Sequence, residues 1–233
     1  MSIHKDHRQR VKDRFLKEGL ENFDDLHILE LMLFYCIPRR DTNIIAHNLL
    51  DRFGSLPNVL DATHDQLKKV EGMGSGAATF IRFLSELERV SEIRRNGTFE
   101  IVNSTEDVGK CFMAHLGKLR NESVYIMCLD AKNKVLSVEK VCEGSVTSVN
   151  VPMRAIIERA IATNATAMIL AHNHPSGLAF PSEEDIKVTY DVAKNLQGID
   201  VMLLDHMVIS DGDYISMVQS GQYYPGVFPG END

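Results

Sequence analysis

The sequence predicts an α/β protein in two parts. An all-α bundle covers residues 1–96, an α/β domain with a mixed sheet covers 99–222, and a tail covers 223–233. Three observations carry this reading. As far as Ile93, apolar residues recur at helical spacing, with short polar and glycine breaks between runs. Beyond Phe99, short apolar runs alternate with helical stretches and hairpin turns. Between them lies Arg94-Arg95-Asn96-Gly97-Thr98, a polar, glycine-containing break and the natural domain boundary. The basic pair in it reads as a solvated helix end.

In the first part, Asp6 to Glu18 is an amphipathic helix with Val11, Phe15 and Leu16 on one side and Gly19 as its stop. Asp24-Asp25 open a second helix through Leu26, Ile28, Leu29, Leu31, Met32, Leu33 and Phe34. It is apolar nearly all round, which marks a buried helix, and Pro38 ends it. Asp41-Thr42 open a third, through Ile44, Ile45, Leu49 and Leu50 to Phe53, closed by Gly54. A short fourth helix spans Ser55 to Ala62. Thr63 with Gln66 three residues on is a capping-box start for the next turn of helix. A long helix through Phe80, Ile81, Phe83, Leu84 and Leu87 to Ile93 follows Glu71-Gly72-Met73-Gly74-Ser75-Gly76.

In the second part, Ser104 and Asp107 flank a helix start, and Val108, Cys111, Phe112 and Leu116 form its apolar side. Glu122 to Asp130 reads as a buried strand. Val135 to Cys142 returns as its partner, with Gly144 as a break or bulge. Pro152 stands at a helix start, and Met153 to Thr163 continue it. Ala167 to Ala171 is a strand leading into His172, and Glu183 to Leu196 is a helix stopped by Gly198. Val201 to Leu204 and His206 to Ile209 are strand. Asp211-Gly212-Asp213 is a hairpin turn and Tyr214 to Met217 a last strand. The tail from Tyr223, with proline, glycine and acids, is expected to fray.

Charge and cysteines narrow the function classes. Residues 1–98 hold 15 basic and 15 acidic residues, whereas 99–233 hold 10 and 18, so the whole net charge of -8 falls in the second part. An acidic surface is a poor partner for polyphosphate, and any nucleic-acid contact is expected from the first part. Cys36, Cys111, Cys128 and Cys142 form no Cys-x-x-Cys pair and read as reduced thiols among apolar neighbours. Met1 to Arg8 has no apolar core of a signal peptide, and no run has the length of a membrane span. The expectation is a soluble, cytoplasmic protein with no membrane contact.

The chemistry sits in His172-Asn173-His174-Pro175-Ser176-Gly177-Leu178-Ala179-Phe180-Pro181-Ser182-Glu183-Glu184-Asp185. Side chains alternate along a strand, so His172 and His174 point to one side at its carboxyl end. Pro175, Ser176 and Gly177 shape a turn, and Ser182 caps a helix whose first turn holds Asp185. Two histidines and one carboxylate are three protein ligands with one tetrahedral position open, the ligand count of a catalytic zinc site. The bland alternative is a solvated turn with two unrelated histidines. His206, after Asp205, reads as a satisfied core histidine or as a contact of the metal ligands. His4, His7, His27, His47, His64 and His115 show no ligand spacing.

This stretch resembles the His-x-His-x7-Ser-x2-Asp signature of the JAMM (MPN+) metalloproteases. His172, His174, Ser182 and Asp185 match each position and gap. His-Asn-His-Pro-Ser-Gly before and Leu204-Asp205-His206 after resemble its RadC branch, and the likeness extends over most of the chain. The resemblance implies a cytidine-deaminase-like α/β fold, a zinc ion, and hydrolysis of a peptide or isopeptide bond in a protein substrate. It also implies a glutamate base on an early strand. Glu122 fits that place, with Glu143 and Glu139 as rivals and an exposed strand-end acid as the plain reading of each. For Ser182 it implies help in binding an oxyanion, beside the simple helix cap. In the first part, a helix, a Gly-x-Gly turn and a second helix resemble a helix-hairpin-helix. Lys68, Lys69, Gly72 and Gly74 are its candidate DNA contacts, because glycines let a backbone approach a phosphate. The alternative is that Gly72 and Gly74 merely make a tight turn. With it goes a second functional reading, a DNA-associated protein whose zinc domain is a scaffold or phosphodiesterase.

Overall fold

The structure is a computed structural model that describes residues 3–144, 151–175, 177–210 and 212–228. It divides into two compact units, Met1–Glu88 and Arg89–Asp233.

The first unit is all helix, α1 (Ile3–Glu18), α2 (Asp25–Cys36), α3 (Thr42–Phe53), α4 (Leu56–Asp61), α5 (His64–Lys68) and the start of α6 (Ser75–Asn96). Each short helix starts where its cap predicts. Asp24, Asp41, Ser55 and Thr63 all accept a backbone N–H from the first turn, and Thr63 and Gln66 complete a capping box. The all-round apolarity of α2 has a direct cause. Leu29 and Leu33 pack with Ile45, Leu49, Val59, Leu67, Ala78 and Ile81, while Leu31 and Phe34 pack with Val11 and Phe23. Each fully buried leucine here stabilises the unit by roughly 1.5–3 kcal/mol. Gly72 has φ +88, and a Cβ there would stand 2.7 Å from Ile45 Cγ1, so glycine is required by helix packing alone. Gly74 has open space around it, and Lys68 and Lys69 are exposed.

The division between the units falls inside α6 and not at the polar break. The helix runs through Arg94-Arg95, and Gly97 just beyond it is a packing point. Its carbonyl accepts from Cys111 Sγ at 3.1 Å, and a Cβ on it would meet Ala114 Cβ at 2.9 Å.

The second unit adds α7 (Thr105–Leu116), β1 (Ser123–Leu129), β2 (Val135–Glu143), α8 (Met153–Thr163), β3 (Ala167–Asn173), α9 (Glu183–Gln197), β4 (Met202–Ser210) and β5 (Asp213–Ser216). The mixed sheet has the order β2-β1-β3-β4-β5, parallel between β3 and β4 and antiparallel elsewhere. α9 is the crossover that the parallel pair requires. Alternation divides the strand residues between two cores. Tyr125, Met127, Leu129, Ile169 and Ala171 pack with Val108, Phe112 and Leu116 of α7. Val124, Ile126, Met168 and Leu170 pack with Ile156 of α8 and Val192 and Leu196 of α9. β1 and β3 are buried along their whole length, covered on both faces.

Several details differ from the sequence expectation. Gly144 is no bulge. It follows the end of β2 with φ +127, and its N–H donates to Glu122 O at 2.8 Å. The extra residues of β2 are Val141 and Leu136. β4 is one strand, with an irregularity at Leu204 where two pieces were expected. The tail does not fray at Tyr223. That side chain is 1% exposed, its hydroxyl donates to Leu203 O at 2.8 Å, and its ring meets Tyr190 edge-on at 5.3 Å. Phe228 also packs on Tyr190. Two aromatic anchors outweigh the local effect of Pro225 and Gly226. Pro229–Asp233 of the tail, Ser176 of the site turn and Asp211 of the hairpin lie outside the described residues.

Tyr223→Ala is expected to destabilise the second unit by about 3 kcal/mol or more, and Tyr223→Phe by about 1 kcal/mol for the lost hydrogen bond. Urea denaturation of the full chain, followed by tyrosine fluorescence and circular dichroism, checks both.

Candidate metal centre

The centre lies at the carboxyl end of β3. His172 is the last inward residue of that strand, in the row of Met168 and Leu170. The chain stays extended for two more residues, with His174 N–H bonded to Ile209 O at 2.7 Å. His174 therefore follows on the same side. Asn173 points the other way and fastens the start of β1, accepting from Ser123 N at 2.8 Å and donating to Leu119 O at 2.9 Å.

Asp185 arrives from α9. Ser182 and Asp185 form a capping box, in which Ser182 Oγ accepts from Asp185 N at 3.2 Å and Asp185 Oδ2 accepts from Ser182 N at 2.8 Å. Ser182 Oγ also donates to Asp185 Oδ2 at 2.7 Å. The cap thus holds the carboxylate by one oxygen and turns the other toward the histidines. Asp185 Oδ1 lies 3.2 Å from His172 Nε2, Asp185 Oδ2 lies 3.6 Å from His174 Nε2, and the two Nε2 atoms are 2.9 Å apart. One ligand atom from each of the three residues lies within 4.8 Å of the others. The bland reading of a solvated turn fails on burial, since His172 and Asp185 are at most 1% exposed.

The donor set fits a cation. Asp185 Oδ1 is buried and receives no hydrogen bond. A carbonyl can only accept, so the 3.2 Å contact between His174 Nδ1 and Leu178 O puts that ring's proton on Nδ1 and leaves Nε2 bare. A bare nitrogen lone pair and an unsatisfied carboxylate oxygen that converge in a buried space ask for positive charge. Burial of Asp185 opposes its ionisation, but the adjacent His172 and His174 imidazoles and the Ser182 hydroxyl outweigh it and hold the carboxyl well below the ordinary range. Asp185 in turn raises the His174 imidazole above its usual value, against desolvation, with Glu122 adding to the rise.

The structure also separates the three glutamates. Val124 pairs with His172 across the antiparallel β1 and β3, and Glu122, two residues before Val124, is near enough to His174 to help raise its imidazole. Glu143 pairs with Ser123, one row off and facing the other way. Its carboxylate accepts from Asn121 at 2.6 Å and meets Lys140. Glu139 is on the α8 face, bound to Arg159 at 2.5 Å.

Two further residues touch the centre. His206 is buried, with Nε2 2.8 Å from His172 Nδ1 and Nδ1 2.6 Å from Thr189 Oγ1. Both sequence readings of His206 therefore hold, since its ring is satisfied and one partner is His172. Burial drives its imidazolium well below the usual range. Thr189 has no motif to mark it. Its one signal is the spacing of four from Asp185, which places both on one face of α9.

Residues 102–222 match the family model described as the RadC-like JAB domain. The chain belongs to that family. Its curated relatives include a UPF0758 protein of Fusobacterium nucleatum, 34% identical over 222 residues, which cover 92% of this chain and 96% of the relative. UPF0758 proteins of Paraburkholderia xenovorans (32%, covering 90% and 83%) and Burkholderia thailandensis (34%, covering 92% and 82%) are similar over nearly the same span. The RadC-like JAB domain here ends at the residue before Tyr223. Among the described residues, no helix is long and apolar enough to cross a membrane.

A metal ion needs His174 neutral, so protons compete with it. Zinc affinity of the full chain is expected to fall as pH drops through the raised His174 value and to level off above it. Asp185→Asn is expected to weaken binding by roughly 100-fold or more and to move that pH dependence lower, because the carboxylate no longer holds the imidazolium. Titration against a chromophoric chelator between pH 5 and 8 reads both.

Proposed function

We propose that the second unit is a zinc-dependent hydrolase that cuts a peptide or isopeptide bond in a protein substrate. One observation carries the reading. Two imidazole Nε2 atoms and a buried carboxylate with an unsatisfied oxygen converge within 4.8 Å at a strand end. The ligands are His172, His174 and Asp185, an N, N, O set suited to a catalytic zinc. Zinc held there supplies Lewis acidity and a water of lowered pKa.

The remaining work falls to this chain's own side chains. Glu122, half-buried and near His174, takes the proton from the attacking water and returns it to the leaving amine. Ser182 donates its hydroxyl proton to Asp185 Oδ2 in the resting arrangement. To serve an oxyanion it turns that proton outward, keeping its lone pair on the helix cap. Leu178 and Phe180 stand exposed in the segment between His174 and Ser182 and offer apolar contact to a substrate chain.

Purified zinc-loaded chain is expected to cleave members of a peptide and isopeptide library. Glu122→Gln lowers kcat by about 10²–10⁴ while zinc content stays full. Ser182→Ala lowers kcat by about 10²–10³ if the hydroxyl meets the oxyanion, against only about 1 kcal/mol of stability for a lost cap. Wild-type turnover no greater than that of Glu122→Gln removes the proposal.

A second reading concerns the first unit. Lys68 and Lys69 are exposed just before the glycine turn, and residues 1–98 carry none of the chain's excess acid. A DNA-associated protein, with Gly72 and Gly74 letting the backbone approach a phosphate, would use them as phosphate contacts. The packing need of Gly72 weighs against this. Full-length chain is then expected to bind branched DNA with an affinity that falls with salt, and Lys68→Glu with Lys69→Glu lowers the salt slope by about two contacts. A flat salt response excludes it.

A further inference from the structure

We propose that Thr189 and His206 are positioning residues that form a one-directional hydrogen-bond relay. The relay fixes His172 in the ring tautomer a metal ion needs and anchors that tautomer on the backbone of Asp185. It rests on the metal-site reading above.

Each ring nitrogen and hydroxyl in this chain of contacts has one proton to place or one lone pair to offer. A cation on His172 Nε2 needs a lone pair there, so the single N–H of the neutral ring is on Nδ1. That N–H meets His206 Nε2 at 2.8 Å, which must therefore accept. A neutral His206 that accepts at Nε2 carries its proton on Nδ1, and this donates to Thr189 Oγ1 at 2.6 Å. The hydroxyl has one proton, and it goes to Asp185 O at 2.6 Å, a carbonyl that can only accept. The reverse order would turn the Thr189 proton onto His206. It would then place a proton on His172 Nε2, facing His174 Nε2 at 2.9 Å, in the space the ion needs. His172, His206 and Thr189 are each at most 1% exposed, so water offers no substitute partner.

The relay closes a ring between two ligands. Asp185 faces the centre with its side chain and ends the relay with its own carbonyl. Helix α9 and strands β4 and β3 are thereby tied in sequence, and a shift of α9 disturbs both ligands together. Ligating histidines commonly give their second N–H to a carboxylate or carbonyl. Here a neutral imidazole takes that place, so the relay adds no negative charge behind the ligand.

The test uses the full chain loaded with zinc. Long-range proton–nitrogen spectra of the histidines are expected to show His206 protonated on Nδ1 alone. Thr189→Val, which keeps the shape and removes the hydroxyl, is expected to weaken zinc binding by about 10–100-fold, and Thr189→Ser to restore most of it. His206→Gln can accept from His172 and donate to Thr189, so it retains more affinity than His206→Leu. A folded Thr189→Val chain with wild-type zinc affinity overturns the relay, and so does His206 protonated on Nε2. If Thr189→Val does not fold, the wild-type spectra decide alone. A wild-type chain that binds no zinc overturns the metal reading itself, a result distinct from zinc bound equally by all variants.

Discussion

A buried carboxylate with one oxygen left open is the constraint on which the second unit's architecture turns. Asp185 is 1% exposed, and an ion taken out of water costs several kcal/mol unless it is paired. Its cap satisfies Oδ2, and the two histidines supply what they can to the rest. Two neutral imidazoles and one carboxylate would leave a divalent cation held there net positive. The chain has paid this desolvation to hold three donors in a fixed arrangement before any ion arrives.

The fold makes that arrangement through two ordinary features of sheets. Parallel pairing of β3 and β4 requires a crossover, and α9 as that crossover starts beside the end of β3. The helix cap at Ser182 is thereby set against the histidines. Antiparallel pairing of β1 with β3 brings the first residues of β1 to the same end, which is how Glu122 comes near His174 across a gap of some fifty residues in sequence. Burial of both central strands then makes the frame rigid. Positions near the centre are held by packing and by Asn173, whose amide ties β1 to β3.

The two units differ in what they offer a partner. The helical unit is nearly balanced in charge and buries its apolar residues around α2, with Gly72 committed to Ile45. Most of the acid excess lies with the RadC-like JAB domain. Leu178 and Phe180 stand exposed on the chain between His174 and Ser182, beside the His172, His174 and Asp185 cluster.

Much of this was legible in the residues themselves. Caps, glycine stops and apolar spacing set nearly all of the helices, because those signals act over one or two turns. His172, His174 and Asp185 stood out because strand alternation and a cap give their spacing a local meaning. What the sequence left open needed pairing at a distance. Glu122, Glu139 and Glu143 are alike as strand-end acids until register assigns each a face. Tyr223 looked like tail until Leu203 and Tyr190 covered it. Thr189 has no motif, and its meaning and that of His206 come from two hydrogen bonds between elements that only folding brings together, and one within α9 that ends on Asp185 O.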